Sequence, residues 1–469
     1  MSDILIVGNG LAAQRLVERM RHHGYAGTLT VLGSELETSC RQSPSPFSTV
    51  TPHASDTLGL SSLPTIHIHV ASTVTSIDPE HRRVLAQVSG AEAAYSYDTL
   101  VLTPETRPLI PDIPGLVSAE GHLTEGVVAP GTAATLPRIT GNAVVVLGEG
   151  PLAVETASAL AAHRGETTLV CATPQPLSTH LGETCSGMLS EQLEQAGVTV
   201  IAGKPAVRRL PGSLCLEDGT TLPADTLILC TGAAPDTRLA REAGLDVRNG
   251  IVVNDQLRTS DPRIHAIGDC AEHDGQVMAG LSATWEQAET LAEILTGRAA
   301  DYRPRPASLR LRTAVADVSA IGSLADLHQP GTRLISLTDR ANRRYARLAL
   351  RDERVVAAVL LGLPQAIATI GLLHRRMERL PSDRLGLLLE LPPRPASDNA
   401  AADEKTPICL CNNVSKQTLL HAWQAGSLTV TALAEATRAT TGCGGCSQSV
   451  EELCGLWTRE TRYEWEKAS

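Results

Sequence analysis

Asp3-Ile4-Leu5-Ile6-Val7-Gly8-Asn9-Gly10-Leu11-Ala12-Ala13 is the stretch that decides the fold. An apolar strand runs straight into Gly-x-Gly-x-x-Ala, and a helical pattern continues from Leu11 to Arg21. In such a strand–turn–helix, Gly8 makes the tight turn and Gly10 lets a pyrophosphate reach the backbone. The small Ala13 lets helix and strand pack closely. A second strand over 28–32 leads toward Glu35, at about the spacing from which an acid holds the ribose hydroxyls of a bound adenosine.

The pattern then recurs. A β run over 142–147 meets Gly148-Glu149-Gly150-Pro151-Leu152-Ala153, and Glu155 follows on the new helix. The next strand, 167–172, ends in Cys171-Ala172 with no acid, and no basic cluster stands in its place. The residues therefore leave the choice of NADH or NADPH open. Two glycine fingerprints make an internal repeat of βαβ units, which predicts an α/β fold with two Rossmann-like domains.

Outward from these motifs, the 469 residues suggest about three domains. A 42% apolar fraction is enough for sizeable cores and excludes wholesale disorder. A net charge of -11 argues against nucleic acid as a partner, and 2% aromatics against base-stacking platforms or a membrane belt. Met1-Ser2-Asp3 lacks the basic start of a secretion signal. The greasiest stretch, Val355 to Leu373, is broken by Gly362, Pro364 and Gly371, so it predicts a strand and a helix rather than a membrane span. Eleven cysteines, mostly scattered singly, point to reduced thiols in a cytoplasmic protein, with the clustered ones held for a metal.

Later segments carry a family resemblance. A strand over 224–229 leads to Cys230-Thr231-Gly232-Ala233-Ala234-Pro235. Then come Arg263-Ile264-His265-Ala266-Ile267-Gly268-Asp269-Cys270 and Gly280-Leu281-Ser282-Ala283-Thr284-Trp285-Glu286-Gln287-Ala288. With the two motifs, these resemble the pyridine-nucleotide-dependent flavoprotein reductases. The resemblance implies FAD on Gly8, Gly10, Ala13 and Glu35, with Arg41, Asp269 and Trp285 also at the flavin. It places NADH or NADPH on Gly148, Gly150, Ala153, Glu155 and Gly232. Asp269 is expected on the ribityl-pyrophosphate part of FAD. A helix starting near Trp285 is expected to point its positive end at the flavin pyrimidine. No side chain is assigned as a catalytic acid or base; Trp285 and Glu155 are placed near the flavin and nicotinamide. Two departures stand out. Glu105, in Thr103-Pro104-Glu105-Thr106, replaces the family's usual glycine, and 39–52 is Ser/Pro-rich where relatives carry flavin-facing residues.

Cys40 stands alone near where single-cysteine peroxidases and CoA-disulfide reductases carry theirs, beside Arg41, which can lower a thiol pKa. An ordinary thiol is the other reading, favoured because the tail offers a better electron exit. Residues 392–407 form a Pro/Ala-rich linker with a flexible reach on the order of 20 Å. Beyond it lie Cys409-Leu410-Cys411 and Cys443-Gly444-Gly445-Cys446. Four thiolates suffice for one iron–sulfur cluster, and they also suit zinc. The tail resembles the bacterioferritin-associated-ferredoxin-like [2Fe-2S] domains, which implies Cys409, Cys411, Cys443 and Cys446 as ligands. Cys454 is the extra thiol.

The expected architecture is FAD-binding over 1–115 and 236–304, NAD(P)H-binding over 116–235, and an α/β interface-type domain over 305–391. The linker follows, then a small helical [2Fe-2S] domain over 408–457. The interface-type segment admits an oligomer. This order resembles the electron-transfer subunits of bacterial assimilatory nitrate reductases and the front part of NADH-dependent nitrite reductases. It implies electrons passing from NAD(P)H to FAD to [2Fe-2S] to a separate redox protein, a nitrate reductase catalytic subunit. A NAD(P)H-dependent nitrite reductase component and a ferredoxin- or rubredoxin-type reductase are alternatives within the class; a Cys40 peroxidase or disulfide reductase, and a non-catalytic redox sensor or iron-handling module, lie outside it. His67 and His69 lack a third ligand and read as structural. His22-His23 read as a helix end favoured by the dipole, and Arg340, Arg343, Arg344 and Arg347 as a solvated turn and strand edge, or a dock for an acidic partner.

Overall fold

The computed structural model describes residues 3–34, 66–130, 139, 141–164, 166–278, 280–305, 308–390, 407–409, 414–441 and 446–468. Glu35, Cys40, Arg41, the Ser/Pro-rich segment 39–52, Cys411 and Cys443 lie outside them. The chain divides into two compact units. One gathers Met1–Arg41, Asp56–Leu109 and Ala233–Arg305; the other takes in Ile110–Gly232 and Pro306–Ser469.

The first unit is built on a five-stranded parallel sheet. Its order is Ile264–Ala266, Thr99–Leu102, Ile4–Val7, Leu29–Leu32, Ile66–His69. All four residues of Ile4–Val7 are buried, as a parallel strand covered on both faces requires. Helix Leu11–His22 buries Ala12, Ala13, Leu16, Val17 and Met20, one apolar stripe at three- and four-residue spacing. It packs against helix Leu281–Leu295. Each such large side chain contributes about 1.5–3 kcal/mol of hydrophobic stabilisation.

The second unit repeats the plan. Val127–Val128, Thr226–Leu229, Val144–Leu147, Thr167–Cys171 and Val198–Ala202 form a parallel sheet, again with the glycine-motif strand at the centre. In both sheets the glycine turn leaves the carboxyl end of the central strand, where doubly wound sheets bind ligands. An antiparallel sheet follows, ordered Ser308–Arg312, Asp317–Ile321, Arg354–Leu361, Arg344–Arg351, Arg333–Asp339. Its Leu311, Val318, Val359 and Leu361 share a core with Leu181, Cys185 and Leu189 of helix Ser178–Gln195. Ala366, Ile367 and Ile370 of helix Pro364–Arg375 join the core on Leu348, Ala358 and Leu360. Arg344–Arg351 is thus an interior strand, not the expected edge, because Arg333–Asp339 and Arg354–Leu361 flank it on both sides. Arg340 pairs with Glu191 at 2.6 Å.

The tail folds on its own small core. Pro407–Cys409 pairs with Val414–Ser415, and helices Lys416–Gln424, Val430–Thr437 and Ser447–Ala468 follow. Ser415 and Thr429 cap the first two helices: their side chains accept from Thr418 and Ala432 N–H at 3.1 Å. Cys409, Leu419, Trp423, Leu433, Cys446, Val450 and Trp457 form the core. The molecule is therefore an α/β protein of two Rossmann-like halves, a small α/β domain and a small, mainly helical tail. Among the described residues no helix is long and apolar enough to cross a membrane.

Candidate functional site

The first cradle is shaped by close backbone approach. Gly8 has φ +111°, and a Cβ there would stand 2.3 Å from the Thr103 carbonyl oxygen. No other residue fits without breaking the strand–helix turn. Gly10 is the N-cap of helix Leu11–His22 and supplies no side-chain cap, so the first-turn N–H groups remain for an anion. Between the glycines, Asn9 is buried and its Nδ2 finds no partner among the described residues, a donor that fits a bound polar group. The exposed Glu105 brings Oε1 to 3.3 Å from where a Gly10 Cβ would stand. A carboxylate there opposes a pyrophosphate, and its exposure leaves it room to turn toward water.

Gly268-Asp269 closes the same site. Gly268 N–H donates to Gln287 Oε1 at 2.6 Å, and Asp269 Oδ1 accepts from Gly280 N–H at 3.0 Å. This fastens the Asp269 turn to the start of helix Leu281–Leu295. Trp285 lies one turn inside that helix rather than at its start, because Gly280, with φ +106°, is the N-cap. Gly280 offers no side-chain signal from which the boundary could be read. The Arg15 guanidinium sits 5.0 Å over the Trp285 ring. The two histidines stand at a helix end as expected, His22 in the last turn and His23 as the C-cap. The nearby Arg19 charge, before burial, pushes the His22 pKa down, and His23 Nε2 meets Glu289 Oε1 at 3.0 Å.

The second cradle repeats the first. Gly148, with φ +150°, would put a Cβ 2.2 Å from the Cys230 carbonyl oxygen, whereas Gly150 has open space. Ala153 is fully buried, and Gly232 turns at φ +107°. Glu155 is mostly buried, its Oε2 has no partner among the described residues, and burial pushes its carboxyl up to about 7. Cys171 donates to the Gly148 carbonyl at 3.3 Å, and Cys230 to Thr156 Oγ1 at 3.7 Å. Burial pushes both thiols up to about 12, so they are inert neutral groups, not nucleophiles.

In the tail, Cys409 and Cys446 are both buried in the common core. Thr440 N–H donates to Cys446 Sγ at 3.2 Å, the kind of contact that stabilises a ligand thiolate. Thr440 has φ +68°, a region a β-branched residue rarely enters, and its buried Oγ1 has no partner among the described residues. Cys411 and Cys443 lie outside the described residues. Cys454 is half-buried on the last helix, its thiol pushed up chiefly by desolvation.

Residues 2–290 match the pyridine nucleotide-disulphide oxidoreductase family. The chain belongs to that family. Residues 407–454 of this oxidoreductase match the BFD-like [2Fe-2S] binding domain. It is 31% identical over 418 residues to the nitrite reductase [NAD(P)H] large subunit of Klebsiella oxytoca, covering 86% of this chain and 43% of that one. It is 26% identical over 484 residues to the assimilatory nitrate reductase electron transfer subunit of Bacillus subtilis, covering 97% of this chain and 60% of the relative. The chain spans about half the length of these nitrite and nitrate reductase relatives. Among solved structures it is similar to the covalent putidaredoxin reductase–putidaredoxin complex, at a TM-score of 0.68 and 25% identity, over 82% of this chain and 95% of that one. The family brings FAD and a pyridine nucleotide, and the tail domain a [2Fe-2S] cluster. The residues fit these groups: a first glycine turn with no side-chain cap, a buried Asn9 donor without a partner among the described residues, and buried cysteines, one of them with an N–H on its sulfur.

Two residues escaped the sequence reading. Glu149 is the middle residue of the second glycine motif, and its side chain accepts from Thr173 N–H at 3.1 Å. An acid inside a glycine loop was the available signal. Thr440 carried none, since its backbone angle is set by the turn around it.

Proposed function

We propose that this oxidoreductase takes electrons from NAD(P)H and delivers them singly to a separate redox protein, the catalytic subunit of an assimilatory nitrate reductase. The observation that carries this reading is a [2Fe-2S]-type domain, with Cys409 and Cys446 buried around one core, joined behind an FAD/NAD(P)H reductase in the same chain. The Bacillus subtilis relative, matched over 97% of this chain, supports the choice of acceptor. Bound FAD supplies the hydride acceptor, and a bound cluster supplies a one-electron outlet.

The chain's own residues bind and orient. The Gly8 and Gly148 turns bring pyrophosphates against helix starts, where N–H groups and the dipole favour negative charge. The Gln287–Gly268 and Asp269–Gly280 bonds hold the Asp269 carboxylate at the sheet's carboxyl edge, ready to accept a ribityl hydroxyl. Glu155, titrating near neutrality, can present either a donor or an acceptor in the second cradle. Thr440 N–H and the apolar surroundings of Cys446 hold a ligand thiolate against water.

The test is a visible spectrum of the purified protein before and after NADH, with Cys446→Ser beside it. Flavin and iron–sulfur absorbance that both bleach, and slowed delivery to the nitrate reductase catalytic subunit in the variant, support the reading. A colourless zinc protein, or delivery at an unchanged rate in Cys446→Ser, refutes it.

A further inference from the structure

The second repeat has no acid at the end of its second strand, yet the structure brings one there by another route. Glu149 leaves the glycine loop, and its Oε2 accepts from the N–H of Thr173, two residues past strand Thr167–Cys171. The main chain is tied to the same segment, since Leu177 N–H donates to the Glu149 carbonyl at 2.9 Å. The carboxylate is therefore held at the tip of the second strand, where a Rossmann acid accepts from the adenosine ribose.

The first repeat supports this geometry independently. There the matching middle residue, Asn9, lies against Gly33, directly after strand Leu29–Leu32; a Cβ on Gly33 would come 2.0 Å from Asn9 Cγ. In both halves, then, the residue between the glycines covers the tip of the second strand. In the first half it is a neutral amide, with Glu35 following in sequence; in the second it is itself the acid. Lys204, whose main-chain N–H joins the same strand tip at the Cys171 carbonyl, has its ammonium on Asp218 Oδ2 at 2.8 Å. That charge is committed to a carboxylate.

The geometry points to Glu149 as the residue that selects NADH over NADPH. Its carboxylate accepts from the ribose 2′-hydroxyl of NADH and repels the 2′-phosphate of NADPH. This rests on the reading of the second repeat as the pyridine-nucleotide site. Repulsion between like charges at contact distance is weaker at an exposed site than at a desolvated one, so a preference of roughly 10- to 100-fold is expected.

The test uses the full FAD- and cluster-loaded chain and measures Kd for NADH and for NADPH, in the wild type and in Glu149→Gln. Glutamine keeps an acceptor for Thr173 N–H while removing the charge. The wild type is expected to bind NADH at least about tenfold more tightly. Glu149→Gln is expected to narrow that ratio about tenfold, mainly by strengthening NADPH binding. A wild type that binds NADPH as tightly as NADH, or a variant whose two constants shift together, overturns the assignment of Glu149 alone. A wild type that binds neither nucleotide overturns the reading of the repeat, and this inference with it.

Discussion

Replacing Glu155 by glutamine should make the second Rossmann-like half more stable in mild alkali and leave it unchanged in acid. Glu155 sits on helix Pro151–Arg164, its Oε2 has no partner among the described residues, and burial raises its carboxyl from 4.5 to about 7. A carboxyl whose folded pKa lies above its unfolded value binds its proton more tightly in the folded state. Its contribution is full below pH 4.5, is lost as pH rises toward 7, and is flat beyond. That span is worth up to about 3 kcal/mol, roughly two powers of ten in the ratio of open to closed forms. Glutamine cannot ionise, so the slope disappears and the variant exceeds the wild type at pH 8 by up to that amount. Hydrogen exchange, corrected for intrinsic rates, can follow the peptides covering Val144–Leu147 and Thr226–Leu229 between pH 4 and pH 8. Equal pH slopes in the two proteins, or a variant less protected at pH 8, would refute the assignment of the cost to a buried, unpaired carboxylate.

Gly8→Ala and Gly10→Ala should separate folding from binding. The first drives a Cβ onto the Thr103 carbonyl and is expected to destabilise the first unit by about 4 kcal/mol or more, seen in thermal unfolding. The second meets only the tip of Glu105, so the protein should fold normally while FAD affinity, measured by fluorescence titration, falls at least about tenfold. Thr440→Gly should relieve a left-handed, β-branched residue and raise the stability of the cluster-loaded tail by about 1–2 kcal/mol, read as a later loss of iron–sulfur absorbance on heating. An unchanged or earlier loss would mean that the buried Thr440 hydroxyl contributes more than the backbone angle costs.

Much of the fold was legible because its signals are local. Val7-Gly8 and Leu147-Gly148 announce strand–turn–helix units within about a dozen residues, and apolar periodicity marks the helices behind them. Ser415 and Thr429 likewise advertise the helix starts of the tail. The start of helix Leu281–Leu295 was missed because Gly280 caps it by conformation, not by side chain. The interior position of Arg344–Arg351 was missed because edge or centre depends on which distant strand pairs on each side.

The sequence alone determined the chemistry available: two glycine turns of dinucleotide-binding type, four clustered tail thiols beside the extra Cys454, and a second repeat whose second strand ends without an acid. These follow from residue type at fixed spacing, which chain geometry translates directly. Only the tertiary structure decided that Glu149 reaches the strand tip at Thr173, that Glu155 is largely buried with no partner for its Oε2 among the described residues, and that Thr440 turns its N–H onto Cys446. Each of these depends on contact between segments that the chain brings together by packing. Burial and partner, the two quantities that set a charged or polar group's behaviour, do not exist until it has done so.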